Sequence, residues 1–370
     1  MDQGFLPAEA APTYGGPARD LRRVGAHPDH WYPLAWSREL KPGKTLAVRF
    51  AGDPIVLARP KDGGAVFALA DRCAHRQVPL SRGLVEGCAI RCGYHGWAYD
   101  QSGQCTDVPY IGKGKLPNGV RAYPVREKDG LILVFPGDPV LAATMPLPAL
   151  GSVANPAYKT RRFGQIVGCH YSFMHENLMD MNHQFLHRKQ MGQMRPRFLG
   201  QAEGEDWVEA RYSFARTGGK QPWGEAAIFG QKRGTGVEFA DKDVMTIRTE
   251  YPYQTLRIRM KDETPVMDLW IAYVPQDREQ RTNRTFGLLS VHRPKIPFVL
   301  DIFWPLLVMF TERIFKEDRE IVEMEQAAHD AQGGDLNQEV FPVIRSLRTL
   351  LAEHGTEEEV PRLGSQPALG

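Results

Sequence analysis

Two short stretches of this chain each pair a cysteine with a histidine at close spacing. The first is Cys-Ala-His at 73–75, and the second is Cys-Gly-Tyr-His at 92–95. Two thiolates and two imidazoles can form one metal site only if both stretches lie side by side. The fold must therefore bring together two loops that are sixteen residues apart. The four candidate ligands are Cys73, His75, Cys92 and His95.

The spacing of these residues favours an iron–sulfur cluster over zinc. Structural zinc sites typically use Cys-x2-4-Cys pairs, whereas each stretch here supplies one Cys and one His. In a Rieske [2Fe–2S] cluster, two thiolates hold one iron and two imidazoles hold the other, which raises the reduction potential to between about −150 and +300 mV. The glycines and aromatic residues around the second stretch, Gly93-Tyr94 and Gly96-Trp97, complete a run typical of a Rieske loop. Structural zinc stays as the alternative.

The other cysteines bear on the compartment and on the class of Rieske protein. The chain has five cysteines at irregular spacing, which argues against a secreted disulfide scaffold and predicts a reducing cytoplasm. An extra cysteine in each cluster loop is typical of respiratory Rieske subunits, and neither loop here has one. Cys88 and Cys105 lie outside the loops and are interpreted as ordinary buried thiols.

The pattern of predicted strands and helices divides the chain into two domains. Short strand patterns separated by Gly, Pro and Asp turns predict an all-β domain at 28–145, and a proline-rich passage follows it. Longer strands and then helices predict an α+β domain with an antiparallel sheet at 157–356. Residues 1–27 are predicted to be a flexible tail without a signal peptide, and 357–370 a frayed C-terminal tail. Within the second domain, helices are predicted at 171–189, 311–331 and 342–353, and strands at 206–216, 244–260, 267–274 and 285–291.

A second polar cluster follows from the predicted helix at 171–189. Asp180, His183 and His187 fall within about 60° of one another on a helical wheel. An apolar stripe on nearly the opposite side indicates that both sides are buried, and a buried polar face is costly unless something satisfies it. A solvent-facing polar stripe is the alternative, but the redox cluster upstream favours a metal. The apolar stripe consists of Met174, Leu178, Met181 and Phe185.

A third ligand is predicted on the helix at 311–331. Iron that activates O2 commonly uses two His and one carboxylate. Asp318 shares a helical face with Ile314, Ile321, Val322 and Glu325, where a carboxylate is costly unless it is paired or bound to metal. A buried salt bridge to an Arg is the alternative. The neighbouring Glu317 and Glu320 are assigned to more exposed faces.

With these residues in place, the chain resembles the catalytic (α) subunits of Rieske non-haem iron oxygenases over about residues 30–355. The family's Asn-x2-Asp-x2-His pattern matches Asn177, Asp180 and His183, and the run at 315–322 resembles the segment that gives the carboxylate ligand. One departure concerns His187, which follows His183 after three residues where the family usually has four. His175 and His170 are the alternatives to His187.

The resemblance implies an architecture and an assembly. The fold would be an N-terminal all-β Rieske domain followed by a helix-grip catalytic domain, in which an antiparallel sheet packs against helices. A homotrimer would place the cluster of one subunit beside the mononuclear Fe(II) of its neighbour. Asn177 and Asp180 would have catalytic roles, with Asp180 bridging His95 of one chain to His183 of the next. Support of His183 within one chain is the alternative for Asp180.

The resemblance also implies partners and a reaction. No Gly-x-Gly-x-x-Gly fingerprint follows a strand, so NAD(P)H would be oxidised by a separate reductase, with or without a ferredoxin. Electrons and O2 would then serve to hydroxylate or oxidatively demethylate an organic, apolar or cyclic substrate, as in the short α-only members of the family. A Rieske electron-transfer protein without mononuclear iron is the alternative. The net charge of +2 gives no reason to expect nucleic acid. An acidic ferredoxin could dock on Arg76, Arg82 and Arg91, which are otherwise ordinary surface charges.

Two further segments carry weaker predictions. The apolar run at 296–310 is too short and too interrupted for a transmembrane segment and is predicted to be a buried element. Contact with a membrane surface and a large, apolar substrate are the alternatives. The glycine-rich segment at 217–236 is predicted to be a lid over the pocket or a surface loop.

Overall fold

A computed structural model describes residues 20–109, 111, 116, 119–218, 243–260, 265–294 and 296–357. Most of the predicted lid, from residue 219 onward, lies outside these residues, as do 1–19 and 358–370.

The first half of the chain folds into small antiparallel sheets, which confirms the all-β prediction. Three sheets have the strand orders β10-β5-β4-β3, β11-β12-β2 and β6-β7-β8-β9. Side chains alternate as expected for a half-buried strand, since Val48 and Phe50 are buried while Ala47 and Arg49, which precede each of them, are exposed. The strands are β1 (Val24–Gly25), β2 (Tyr32–Trp36), β3 (Thr45–Phe50), β4 (Asp53–Ala58), β5 (Phe67–Ala70), β6 (Leu84–Glu86), β7 (Ala89–Arg91), β8 (Ala98–Asp100), β9 (Cys105–Asp107), β10 (Ala122–Tyr123), β11 (Val125–Lys128) and β12 (Leu131–Val134).

The second half of the chain forms one large antiparallel sheet with helices. The sheet order is β13-β20-β19-β18-β17-β16-β15, with β14 also paired to β20. The single strand predicted at 244–260 is wrong, because the chain reverses at Tyr251 and Pro252 and forms a hairpin. Proline has no N–H for a central ladder and is therefore typical of such a turn. The strands are β13 (Tyr158–Phe163), β14 (Ile166–Val167), β15 (Gln193–Glu203), β16 (Trp207–Gly218), β17 (Asp243–Glu250), β18 (Tyr253–Met260), β19 (Pro265–Pro275), β20 (Asn283–His292) and β21 (Thr356–Glu357).

The described α-helices are α1 (Tyr171–Met179), α2 (Arg188–Met191), α3 (Val299–Gln332) and α4 (Pro342–His354). Helix α4 buries Val343, Leu347 and Leu350 at helical spacing, so its apolar stripe faces the core. None of the helices in the described part of the chain is long and apolar enough to cross a bilayer.

Helix α3 starts much earlier than predicted. It begins at Val299, and Pro305 lies inside it. Proline usually ends or kinks a helix, which is why the sequence pattern placed the start at 311. The prediction that 296–310 is a buried element is also wrong, because Phe298, Ile302 and Phe303 are exposed while Leu300 and Leu307 alone among its apolar side chains are fully buried.

The predicted helix at 171–189 breaks at Asp180. This residue has an extended backbone, with φ −89° and ψ 93°, and its carboxylate accepts the backbone N–H of Asn182. Aspartate side chains favour such caps over continued helix. A 3-10 helix, Met181–Phe185, and then α2 follow. Phe185, predicted to be buried, is consequently exposed.

Both predicted tails extend too far into the fold. Leu21 and Val24 are buried, and Val24 pairs with Glu357 in the two-stranded sheet β1–β21. This pairing joins residues that are far apart in the sequence, so local sequence patterns do not predict it. The two domains also share one core, in which the Trp36 and Phe286 rings lie 5.4 Å apart.

Candidate active site

The first cysteine–histidine stretch forms a tight loop after β5. The Cys73 N–H donates to the Val78 carbonyl, and the Gln77 N–H donates to the Cys73 carbonyl. Gln77 has φ +60°, an uncommon conformation for a residue with a side chain. The loop therefore turns back on itself directly beside the cysteine.

The second stretch lies between β7 and β8 and has the same design. The Cys92 N–H donates to the Trp97 carbonyl, and the Gly96 N–H donates to the Cys92 carbonyl. Gly96 has φ +74°, and a Cβ there would come within 3.0 Å of Pro109. This position requires glycine for its backbone and for the close approach.

The four predicted cluster residues lie together at the two loops. Cys73 and Cys92 are buried, whereas His75 and His95 are exposed, with their ring centroids 4.6 Å apart. Burial raises the pKa of the Cys92 thiol, so a thiolate there requires a positive partner such as iron. Two buried sulfurs beneath two exposed imidazoles fit the donor set of a Rieske cluster.

The arrangement does not fit a single tetrahedral ion. Zinc holds its ligands at about 2.0–2.3 Å, so all ligand atoms of a zinc site crowd together. Among the described residues, the ligand atoms of three or more His, Cys, Asp or Glu side chains come this close together at the second site, not at the two cysteine–histidine loops. The cluster residues therefore favour a two-iron centre over the zinc alternative.

A tyrosine hydroxyl lies beside one of the cluster sulfurs. The Tyr99 Oη is 3.2 Å from the Cys73 Sγ and accepts the N–H of Ala74. With its lone pair engaged in this way, the hydroxyl can donate its proton to a thiolate at Cys73. Such hydrogen bonds stabilise the reduced cluster and raise its potential.

Replacing Tyr99 with Phe should lower the reduction potential of the cluster by about 60 mV. One hydrogen bond to a charged group contributes about 1.5 kcal/mol, and a tenfold change in a one-electron equilibrium corresponds to about 59 mV. A redox titration followed by the visible spectrum measures this shift. Tyr94→Phe is the matched control, since Tyr94 is exposed and its ring lies tilted against His95, so the substitution removes a hydroxyl at the protein surface. Equal potentials in both variants would contradict a hydrogen bond to the sulfur.

The second site lies where the broken helix meets α3. The His183 Nδ1 donates to the backbone carbonyl of Asp180, and the His187 Nδ1 lies 2.8 Å from the Glu317 Oε2. Both imidazoles therefore present Nε2 to the same space. The His183 Nε2 is 3.7 Å from the Asp318 Oδ1, and the His187 Nε2 is 3.1 Å from it. One ligand atom from each of these three residues lies within 4.8 Å of the others.

The electrostatics of this group fit a cation. Burial alone would raise the pKa of Asp318, but the imidazoles of His187 and His183 lower it, so the side chain is a carboxylate. Burial alone would lower the pKa of His187, but Asp318 and Glu317 raise it. The His187 Nε2 is nevertheless buried without an aligned hydrogen bond. Two imidazoles and one carboxylate around this orphaned nitrogen match the donor set of non-haem Fe(II). Asp318 has histidine partners here, not the arginine of the alternative prediction.

Two neighbouring side chains hold the group in place. The Asn177 Nδ2 donates to the Asp318 Oδ1 at 3.0 Å. Glu317, assigned from the sequence to a more exposed face, instead contacts His187. A helical wheel of α3 does not show the contact between Glu317 and His187, because His187 belongs to a different segment of the chain. Histidines that bind metal usually have a carboxylate partner, and a search for that partner could have identified Glu317.

Replacing Glu317 with Gln should weaken Fe(II) binding about 10- to 100-fold and leave the cluster intact. The amide keeps the shape but loses the charge that orients the His187 ring. Iron retained during dialysis against a ferrous chelator measures the effect, with the visible spectrum reporting the cluster. Glu320→Gln is the control, because Glu320 is exposed and pairs with Lys316. The same iron retention in both variants would rule out this role.

The two fallback histidines lie away from this group. The His170 Nδ1 lies 2.7 Å from the Ser172 hydroxyl, and the His175 ring packs edge-on against Tyr273. Burial lowers the pKa of His175 to about 3, so it is a neutral core residue. A 3-10 helix and a turn bring the rings of His183 and His187 to the same group despite the three-residue separation.

The carboxylate of Asp180 caps the turn that leads to His183. Its Oδ1 accepts the backbone N–H of Asn182 at 2.9 Å and the Asn182 amide at 2.8 Å. The backbone carbonyl of Asp180 supports His183 instead. Support of His183 within one chain, the alternative prediction, is therefore present through the backbone carbonyl of Asp180, while the carboxylate caps the turn.

The arginines near the cluster divide into two groups. Arg91 is engaged by Glu86, Asp107 and the Gly96 carbonyl, and therefore braces the second cluster loop. The guanidinium of Arg91 therefore has two carboxylate partners within the chain. Arg76 and Arg82 are exposed. Cys88, predicted to be buried, is also exposed, at the turn between β6 and β7.

An open pocket ends at the second site, where Asn177 and Asp318 form part of its wall. Small-molecule sites are concave and mostly apolar, with a small number of polar groups that fix orientation. Most of its wall is apolar or aromatic. The lining residues are Phe163, Gly164, Gln165, Met174, Asn177, Leu178, Leu269, Ile271, Tyr273, Thr285, Glu312, Phe315 and Asp318.

Comparisons with known proteins identify both halves of the chain. Residues 30–124 match the Rieske [2Fe-2S] domain, and residues 167–343 match the vanillate O-demethylase oxygenase C-terminal domain. The chain is 32% identical over 366 residues to 4beta-methylsterol monooxygenase of Methylococcus capsulatus, which covers 95% of each protein. The chain belongs to the Rieske non-haem iron oxygenases. As a member of this family, it is a terminal oxygenase component that uses a Rieske cluster, mononuclear iron and O2.

Other Rieske oxygenases match in sequence or in structure. The oxygenase component of dicamba O-demethylase of Stenotrophomonas maltophilia is 41% identical over 161 residues, covering 43% of this chain and 47% of that protein. The crystal structure of dicamba monooxygenase bound to dicamba has a TM-score of 0.69 at 26% identity, covering 90% of this chain and 97% of that one. These matches confirm the two-domain α+β fold with its helix-grip catalytic half. Proteins of this family take electrons from a reductase or ferredoxin and act on small organic substrates.

Proposed function

We propose that this Rieske oxygenase oxidises a methyl group on a large, fused-ring, mostly apolar substrate of the sterol type. The observation that carries the proposal is the apolar pocket that ends at Asp318. The similarity to a methylsterol monooxygenase supports it, because that similarity extends through nearly the whole chain.

Apolar side chains form the larger part of the pocket wall that such a substrate would contact. Phe163, Leu269, Ile271 and Phe315 offer apolar contact to fused rings, while a few polar groups such as Thr285 can bind a single hydroxyl. An apolar pocket with few polar groups positions a substrate by shape, which favours a rigid ring system. Oxidation of a methyl group would place one oxygen atom of O2 in the product and release the other as water.

The residues of the second site would act by positioning. His183, His187 and Asp318 would hold Fe(II), which when bound supplies the activation of O2. Asn177 keeps the Asp318 carboxylate in place, and Glu317 keeps the Nε2 of His187 directed at the site. The apolar part of the wall would limit the access of water to the reacting carbon.

Electron transfer is proposed to occur between subunits of a homotrimer. Cys73, His75, Cys92 and His95 would hold the cluster, and the exposure of the two imidazoles suits electron uptake and contact with a neighbour. The carboxylate of Asp180 would meet His95 of the adjacent subunit, while its backbone carbonyl accepts the Nδ1–H of His183. One residue in contact with two imidazoles would orient both rings.

The same proposal assigns electron uptake to residues 28–145 and catalysis to 157–356. A reducing cytoplasm is the proposed compartment, which the three cysteines outside the cluster loops, none of them in a disulfide, support.

Turnover of defined substrates with a reductase and NADH tests the substrate class. A 4-methylsterol should give a product oxidised at the methyl carbon, with one atom of label from isotopic O2 by mass spectrometry. The matching sterol without the methyl group is the control and should give no such product. The competing candidate is O-demethylation of a small methoxy-aromatic acid, which the similarity to the dicamba-bound dicamba monooxygenase suggests. Formaldehyde release from that substrate, together with no sterol oxidation, would contradict the proposal.

A further inference from the structure

The wall of the pocket at the second site contains a stacked pair of aromatic rings. Phe163 of β13 and Phe315 of α3 have their ring centroids 4.2 Å apart and their planes 13° from parallel. Both rings line the pocket. The strand and the helix therefore meet at this pair, and side chains that contact both rings lie directly behind the pocket wall.

A buried arginine lies against these two rings. The guanidinium carbon of Arg161 is 5.3 Å from the ring centroid of Phe163 and 5.8 Å from that of Phe315. The side chain of Arg161 is 6% exposed, and its guanidinium donates to the hydroxyl of Thr311. Because a guanidinium stays charged when it is buried, it requires an anionic partner.

Glu312 supplies that partner and also forms part of the pocket wall. Its Oε1 pairs with the guanidinium of Arg161, while 59% of the Glu312 side chain is exposed. The carboxylate is thus the accessible member of the pair, and the guanidinium is the covered member. A ligand that enters the pocket meets the negative charge first.

The described wall offers no positive charge in compensation. Within the described part of the chain, the residues that line the pocket include one other charged side chain, Asp318, and no Lys, Arg or His. Glu312 precedes Asp318 by six residues on α3, about 9 Å along the helix axis. An aromatic acid that reaches Asp318 with its methoxy carbon can therefore extend its carboxylate towards Glu312. Burial of a carboxylate without a cation is costly, and a second carboxylate nearby adds repulsion.

We propose that Glu312 is a specificity-determining residue, which covers the charge of Arg161 and thereby excludes carboxylate substrates in favour of uncharged ones. Specificity of this kind comes from a repulsive element and needs no additional attractive contact. The inference rests on the proposed function, because it treats this pocket as the substrate site. It supplies a physical reason for a neutral sterol over a methoxy-aromatic acid. The competing explanation is that the pair only braces α3 against β13.

Equilibrium binding to the anaerobic holoprotein tests the proposal without turnover. The probes are 4-methoxybenzoate and 4-methoxybenzamide, which have nearly the same shape and differ in charge. In titration calorimetry, the parent should bind the amide at least about tenfold more tightly than the acid. Glu312→Gln keeps the shape of the side chain but leaves Arg161 without its carboxylate. This variant should bind the acid at least about tenfold more tightly than the parent does, with little change for the amide.

Two further variants serve as controls. Arg161→Leu combined with Glu312→Gln removes the uncovered cation and should abolish the gain in affinity for the acid. Glu320→Gln changes an exposed carboxylate on the same helix that does not line the pocket, so both affinities should stay as in the parent. The visible spectrum of the cluster shows whether each variant is folded, and equal iron content in all samples keeps the charge of the metal constant.

The proposal would be overturned if Glu312→Gln bound the acid no more tightly than the parent, whether or not either protein bound the amide. The pair would then be a brace between α3 and β13. Equal affinity of the parent for acid and amide would contradict it as well, as would a gain that persists after Arg161→Leu. These outcomes are distinguishable from failure of the proposed function, which depends on oxidation of a 4-methylsterol and not on the binding of either probe.

Discussion

The Asp318→Ala variant is expected to keep the visible spectrum of the Rieske cluster and to form no detectable product. Asp318 is the carboxylate of the His183 and His187 group, with its Oδ1 at 3.7 Å and 3.1 Å from their Nε2 atoms. Without this carboxylate, the affinity for Fe(II) should fall sharply, because two neutral imidazoles alone remain to hold a divalent ion in a buried site. The loss should exceed about 1,000-fold, since metal-ion catalysis contributes several kcal/mol.

Coupled product formation and iron content measure this prediction together. Glu320→Ala is the matched control, because it removes an exposed carboxylate two residues further along α3. The control should retain product formation and iron. An Asp318→Ala protein that still forms product, or that loses no iron, would exclude this residue as a ligand.

The Asp180→Asn variant is expected to retain the cluster and the mononuclear iron, yet to turn over at least about 100-fold more slowly. Asparagine is as good a cap as aspartate, so the turn at Asn182 and the position of His183 should survive. The negative charge that would couple His95 of one subunit to His183 of the next is lost. The rate at which the reduced cluster reoxidises after mixing with substrate and O2 reports this step directly.

A complementation experiment separates the relay from a purely structural role. Cys92→Ser chains lack the cluster, and Asp318→Ala chains lack the mononuclear iron, so each should be inactive alone. Trimers assembled from both should recover activity, because a cluster in one chain can serve iron in another. Adding Asp180→Asn to the Cys92→Ser chain, which supplies the iron, should abolish the recovery. Recovery with Asp180→Asn in place would show that the carboxylate is a cap and nothing more.

The parts of the site that the sequence could predict rest on short spacings. Cys73 and His75, like Cys92 and His95, lie so close along the chain that each pair shares one tight loop in any fold. Asp318 could be predicted as a candidate ligand because a carboxylate in an apolar helical stripe requires a partner.

The parts that the sequence could not predict depend on contacts between distant elements. The break at Asp180 results from a side-chain cap that competes with helix, and it changed the geometry assumed for His187. Glu317 reaches His187 across 130 residues, which no helical wheel can show. Local hydrophobicity predicted burial for Ile302, because it cannot tell which apolar side of α3 meets the sheet.

The pairing of Val24 with Glu357 is a further example of a long-range contact. Both residues were assigned to tails from composition, and only the closure of β1 onto β21 makes them part of the fold.

Iron and acid-labile sulfide per chain, measured on anaerobically purified protein, test the central claim most directly. A Rieske cluster contains equal numbers of iron and sulfide, so any further iron must be held elsewhere. The account predicts that iron exceeds sulfide by one atom per chain, with the excess iron removed by a ferrous chelator and restored by added Fe(II). Equal iron and sulfide, unchanged after Fe(II) is added, would contradict a mononuclear site at His183, His187 and Asp318 and leave an electron carrier.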